Sequence, residues 1–109
     1  MRGKQICVAT VAIVAFALEA AAADMDAAKK KVSEVCQACH GMDGNSPVAD
    51  YPKLAGQNAD YLAKTLRDYK SGARKNAIMN GFATTLTPQD IDNLAAYFAS
   101  QPPVLQSRM

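Results

Sequence analysis

The only histidine in the chain, His40, follows directly on Cys39, and Cys39 stands three positions after Cys36. Few folds have a use for that cluster. A disulfide across two intervening residues closes too small a loop to staple a domain. Zinc calls for four protein ligands, commonly two such cysteine pairs or further histidines, and here one pair and one histidine are on offer. A thioredoxin-like redox pair needs a strand–helix–strand setting, yet no segment alternates apolar and polar residues convincingly. What remains is Cys-x-x-Cys-His, the attachment signature of c-type haem. Each thiol can form a thioether with one vinyl group of the porphyrin, and the spacing sets the two cysteines beside adjacent edges of the ring. The histidine after Cys39 then turns its imidazole towards the iron as proximal ligand.

The start of the chain fits export. Arg2 and Lys4 give a short positive region, Ile6 to Leu18 is apolar or small apart from Thr10, and Ala20 to Ala23 precede Asp24. This pattern predicts a secretory signal peptide over residues 1–23, cleaved after Ala23 into the periplasm, and a mature domain over 24–109. A retained anchor would need about 20 apolar residues, and Glu19 interrupts the run first. Cys7, inside the apolar stretch, leaves with the signal. So short a mature domain buries little of its own surface and often needs a cofactor as a staple. Taking Arg2, Lys4 and Glu19 from twelve basic and ten acidic residues leaves a near-neutral domain. That balance, without aromatic and basic residues interleaved, gives no argument for nucleic acid. Lys29-Lys30-Lys31 reads as the solvated face of a helix.

Helical spacing accounts for the rest. Ala27, Ala28, Val32 and Val35 lie on one face of a predicted helix over 26–38. Residues 41–57 form a loop whose turns are set by Gly41, Gly44, Pro47, Pro52 and Gly56. Asn58 caps a second helix with an apolar stripe of Tyr61, Leu62, Leu66 and Tyr69, and Gly72 stops it. Ala73 to Leu86 reads as irregular. Thr87-Pro88-Gln89-Asp90 opens a third helix, carrying Ile91, Leu94, Ala95 and Phe98 on one face until Pro102-Pro103. The expected class is all-α, three main helices with loops long enough to wrap something.

A second iron ligand has to come from elsewhere in the chain, and with no other histidine methionine is the candidate. Met42 is too near His40 to reach around the ring, Met25 precedes the first helix, and Met109 is terminal. Met79, in the irregular stretch, suits a loop lying across the distal face; the alternative is a methionine that fills a core gap. The Pro52 carbonyl is a possible acceptor for the other N–H of His40, or Pro52 is an ordinary turn proline.

Beyond the haem motif, four stretches in order resemble the small bacterial class I cytochromes c, of the monohaem cytochrome c-553 type and like one half of the dihaem relatives. They are Cys36-Gln-Ala-Cys-His-Gly-Met-Asp-Gly-Asn-Ser46, Tyr51-Pro-Lys-Leu-Ala-Gly-Gln57, Tyr61-Leu62 through Gly72-Ala-Arg74, and Met79 through Leu86-Thr-Pro-Gln-Asp-Ile91 to Ala96-Tyr-Phe98. The resemblance implies the class I cytochrome c fold, wrapped around one covalent haem c (heme c). It makes Cys36 and Cys39 the thioether residues, His40 and Met79 the axial ligands, and Pro52 the acceptor that holds the His40 imidazole. It pairs Ala28 and Val32 with Leu94 and Tyr97, and sets Tyr61, Leu62 and Leu66 along the haem pocket. One Cys-x-x-Cys-His leaves room for one haem. The expected function is a monomeric, periplasmic single-electron carrier, not an enzyme and without a stable membrane anchor. Its partners would be redox proteins, either membrane respiratory complexes or periplasmic oxidoreductases.

Overall fold

The computed structural model describes residues 3–12 and 22–105. Residues 13–21 of the predicted signal segment, and Met109, lie outside the described residues; residues 3–12 form no regular element. Among the described residues there is no strand, and no helix is long and apolar enough to cross a membrane.

The first helix starts one residue earlier than its apolar spacing suggests and runs further. Asp24 caps α1 (Met25–Lys31), its carboxylate accepting from Ala27 N–H at 2.9 Å. The helix then widens into a π turn over Val32–Cys36, where Gln37 N–H donates to the Val32 carbonyl five residues back. It tightens again as α2 (Gln37–His40), which ends at Gly41, φ 79°. Thus the whole haem motif except Cys36 sits on α2, and Cys36 closes the π turn.

The second and third helices follow the predicted signals. Asn58 caps α3 (Ala59–Ser71) through Tyr61 N–H at 3.1 Å, and Gly72 ends it in the left-handed region at φ 85°. Between α3 and the last helix the expectation of an irregular stretch fails in part. Ala77–Ala83 form a two-turn helix, α4, capped by Asn76, whose side-chain oxygen accepts from Ile78 and Met79 N–H at 3.1 and 3.0 Å. The cap satisfies two orphan donors, and Ile78 and Phe82, four apart, share one face of the helix. The last helix, α5 (Pro88–Ser100), opens on a complete capping box. Thr87 Oγ1 accepts from Asp90 N–H and the Asp90 carboxylate accepts from Thr87 N–H, both at 3.0 Å.

α5 is the hub. α1 and α3 both pack on it, and Ala28 and Val32 join Leu94 and Tyr97 in one buried cluster with Leu62, Ala63, Leu86, Ile91, Ala95 and Phe98. The buried Asn93 fastens the start of α1 there, its Oδ1 accepting from Asp24 N–H at 2.9 Å and Gln89 Nε2 at 2.7 Å. The 41–57 loop is held to α5 as well. Tyr97 donates its hydroxyl proton to the Met42 carbonyl at 2.6 Å, and Gly56 N–H donates to the Phe98 carbonyl at 3.0 Å. Gly44 lets the chain turn back beneath Phe98, its carbonyl accepting from Leu54 N–H at 2.7 Å and Ala55 N–H at 3.2 Å. A cleft opens where α3 and α4 face the loop, the haem-motif helix and α5.

Candidate cofactor site

The cleft has a volume of about 390 Å³, within the range of small-molecule and cofactor sites. Every described element but α1 contributes to it. The π turn and α2 supply Val35, Cys36, Cys39 and His40, the loop supplies Tyr51, Pro52 and Leu54, and α3 supplies Tyr61, Leu62 and Leu66. α4 adds Ile78, Met79 and Phe82, and α5 closes the floor with Leu94, Ala95 and Phe98. All four residues singled out in the sequence therefore line one space: Cys36, Cys39 and His40 from one helix, Met79 from another. Met25 and Met42 do not; Met42 packs against the buried core instead.

His40 is buried, and its ring is oriented by two neighbours. Nδ1 lies 2.8 Å from the Pro52 carbonyl oxygen, and the Tyr51 ring meets the imidazole edge-on, with centroids 6.4 Å apart. A carbonyl only accepts, so Nδ1 carries the proton and donates it to Pro52. In the neutral imidazole this leaves Nε2 with the lone pair, the tautomer a metal-binding histidine requires. Pro52 is thus more than a turn former. Neither Cys36 nor Cys39 is in a disulfide. Burial pushes the Cys36 thiol up to about 11, against the smaller opposing pull of the Lys31 cation. At neutral pH Cys36 is accordingly a protonated thiol, without the character of a reactive thiolate.

Several lining residues escape the sequence reading. Ile78, Phe82 and Leu86 belong to the stretch taken as irregular; their spacing and the cap at Asn76 were the available signals. Leu54 and Tyr51 come from a loop whose composition announces turns and conceals lining residues.

The donor set fits a covalently held haem. Two thiols stand at thioether spacing, one imidazole has a free nitrogen, one thioether sulfur comes from another element, and the walls are mostly apolar. Residues 25–102 match the cytochrome c family model.

The chain belongs to the cytochrome c family.

It is 52% identical over 81 residues to cytochrome c4 of Pseudomonas aeruginosa, covering 74% of this chain and 40% of that protein. It is 41% identical over 83 residues to cytochrome c-554(548) of Halomonas halodenitrificans, covering 73% of this chain and 99% of the relative. The crystal structure of reduced recombinant cytochrome c4 from Pseudomonas stutzeri superposes with a TM-score of 0.71 at 45% identity, covering 77% of this chain and 48% of that one. The chain spans less than half the length of these cytochromes c4 and nearly all of the cytochrome c-554(548). Like one half of the dihaem members, it forms one class I cytochrome c domain, and the family's cofactor, one covalent c-type haem per domain, is its own.

Proposed function

We propose that this cytochrome c domain is a one-haem electron carrier of the periplasm, with Cys36 and Cys39 as the thioether residues, His40 as proximal ligand and Met79 as distal ligand. The observation that carries the reading is the meeting of these four side chains on one largely apolar cleft, with Met25 and Met42 elsewhere. When bound, the haem supplies a one-electron iron couple, whose potential methionine–histidine ligation raises.

The chain does the rest. Cys36 and Cys39 would tether the cofactor through two thioether bonds. Pro52 fixes the His40 tautomer, so that Nε2 is always presented as the donor. Met79 would supply the second protein ligand to the iron, keeping water, dioxygen and substrates off the metal. Leu62, Leu66, Leu94 and Phe98 keep the site dry, lowering the reorganisation that accompanies a change of charge. A carrier with both axial positions filled makes and breaks no substrate bond, and it exchanges electrons with redox proteins, either membrane respiratory complexes or periplasmic oxidoreductases. Cleavage after Ala23 would release it as a monomer without an anchor.

The test compares Met79→Ala with Met42→Ala in the haem-loaded protein. Met79→Ala should keep the covalent haem but lose the weak far-red methionine band, lower the potential, and open the sixth site to added ligands. Met42→Ala should leave spectrum and potential as in the wild type. The reverse pattern assigns the ligand to Met42, and no effect from either variant means an open distal site.

A further inference from the structure

After α5 the chain does not leave the molecule. Gln101 ends the helix, and the exposed residues 102–104 run back against the 41–57 loop. Asn45 grips this tail with both ends of its side-chain amide. Nδ2 donates to the Pro102 carbonyl at 3.2 Å, and Oδ1 accepts from Val104 N–H at 2.7 Å. Lys53 Nζ donates to the Val104 carbonyl at 2.7 Å. Pro103, between them, has no N–H to satisfy, and a Cβ on Gly56 would stand 2.9 Å from its Cδ. Two prolines fix their φ angles in advance, so ordering this segment costs less entropy than usual. Pro103 and Val104 lie beyond residues 25–102, the span that matches the cytochrome c family.

The tail holds both limbs of the loop. Asn45 follows Gly44, whose carbonyl accepts from Leu54 and Ala55 N–H, so the limbs are already bonded to each other and the tail closes a third side. Lys53 follows Pro52, and Pro52 accepts from His40 Nδ1 at 2.8 Å. The Pro52 carbonyl and the Lys53 nitrogen belong to one planar peptide unit. Where Lys53 is held from outside, the acceptor that orients His40 is held as well.

We propose that the 102–104 tail is a strap that positions His40 through Pro52, with Asn45 and Lys53 as its two fastenings. The proposal rests on haem occupying the cleft with His40 on its iron. Asn45 is a positioning residue, since it does not line the cleft. The partner of a ligating histidine's other ring nitrogen fixes the ring's orientation and raises its basicity. A Pro52 carbonyl kept within hydrogen-bonding distance makes the imidazole a stronger donor, which favours oxidised iron and holds the potential down. Slackening the strap should open that bond more often, admit water to Nδ1–H and let the potential rise.

Two substitutions cut the strap without altering any charge, so neither moves the potential by simple electrostatics. Val104→Pro removes the N–H that Asn45 accepts, on an exposed tail that the core does not need. Asn45→Ala removes both amide bonds from the loop side. In the reduced, haem-loaded protein, nuclear magnetic resonance should show the His40 ring N–H exchanging with solvent about fivefold faster in each variant, the factor that one lost hydrogen bond corresponds to. Redox titration at neutral pH should give both a higher potential than the wild type. Backbone amides of Leu94 and Phe98 on α5 should exchange as before. The double variant should match Asn45→Ala, because both changes act on one contact. Exchange and potential that match the wild type in both single variants overturn the proposal and make the tail a staple, whatever happens to Tm. Acceleration as large in α5 as at His40 also overturns it, because the variants then act on global stability alone. A wild type whose His40 ring protons show no shift from the porphyrin ring current is a different failure, one of the His40 assignment.

Discussion

Gly44 shows how tightly the loop beneath the haem motif is built. With φ at 76° it occupies a region that costs an L-residue about 1–2 kcal/mol. A Cβ there would stand 2.7 Å from Phe98 Cδ1 and 2.9 Å from Ala55 N, one an aromatic ring in the core and the other backbone. Neither can give way cheaply, and overpacking adds about 1–3 kcal/mol. Gly44→Ala should therefore lower stability by about 2–5 kcal/mol, seen as a fall in Tm of about 8 degrees or more. Gly72 is a different case, since a Cβ there meets only the end of the Lys75 side chain at 3.5 Å. A drop in Tm at Gly44→Ala no larger than at Gly72→Ala would refute the close-approach argument. Much at this level could be read directly from the chain. Cys36, Cys39 and His40 are contiguous, so their chemistry does not depend on how the chain folds. Leu54 could not be read as a lining residue, because only the fold shows that the loop brings it to the cleft.

Helices with strong end signals were equally open to reading. Asn58 with Gly72, and Thr87 with Pro88 and Asp90, bound α3 and α5 as their capping chemistry requires. α4 was missed because two turns are too short to establish a periodicity and Gly81 interrupts the segment with a poor helix former. The π turn was invisible for another reason: an i→i+5 bond leaves no trace in a pattern sought at 3.6 residues. Tertiary bonds hold α4 where local propensity does not. Asn80 accepts from Asn76 N–H at 2.8 Å and donates through Nδ2 to the carbonyls of Tyr69 and Arg74 at 2.8 and 2.9 Å. One side chain thus ties α4 to the end of α3 and to the turn between them. Hydrogen bonds of this kind contribute about 1 kcal/mol each. Asn80→Ala should cost about 2–3 kcal/mol and speed amide hydrogen exchange in 76–83 well before that of α1 or α5. Uniform acceleration across all helices would show that α4 is not separately secured.

In the molecule as a whole, two sets of contacts have to be satisfied by one continuous run of helix. Ala28 and Val32 must face α5, while Cys36, Cys39 and His40 must face the cleft, and the π turn lies between the two groups. A π turn holds one residue more than an α turn and still returns the chain to the same direction. It is a slack link: the surplus residue is absorbed locally, and both faces keep their azimuth. The consequence concerns length more than composition. Taking out the exposed Ser33 should convert the π turn into plain α-helix and leave the cysteines and His40 on the cleft side. Adding one residue at the same place has no such outlet and should swing them by roughly 100°. Haem-stained gels of the two variants read the difference, with stain retained on deletion and lost on insertion. The opposite result would mean that the widened turn sets the angle of the haem motif itself. Related chains that differ by one residue at this point should, on this account, be shorter there and never longer.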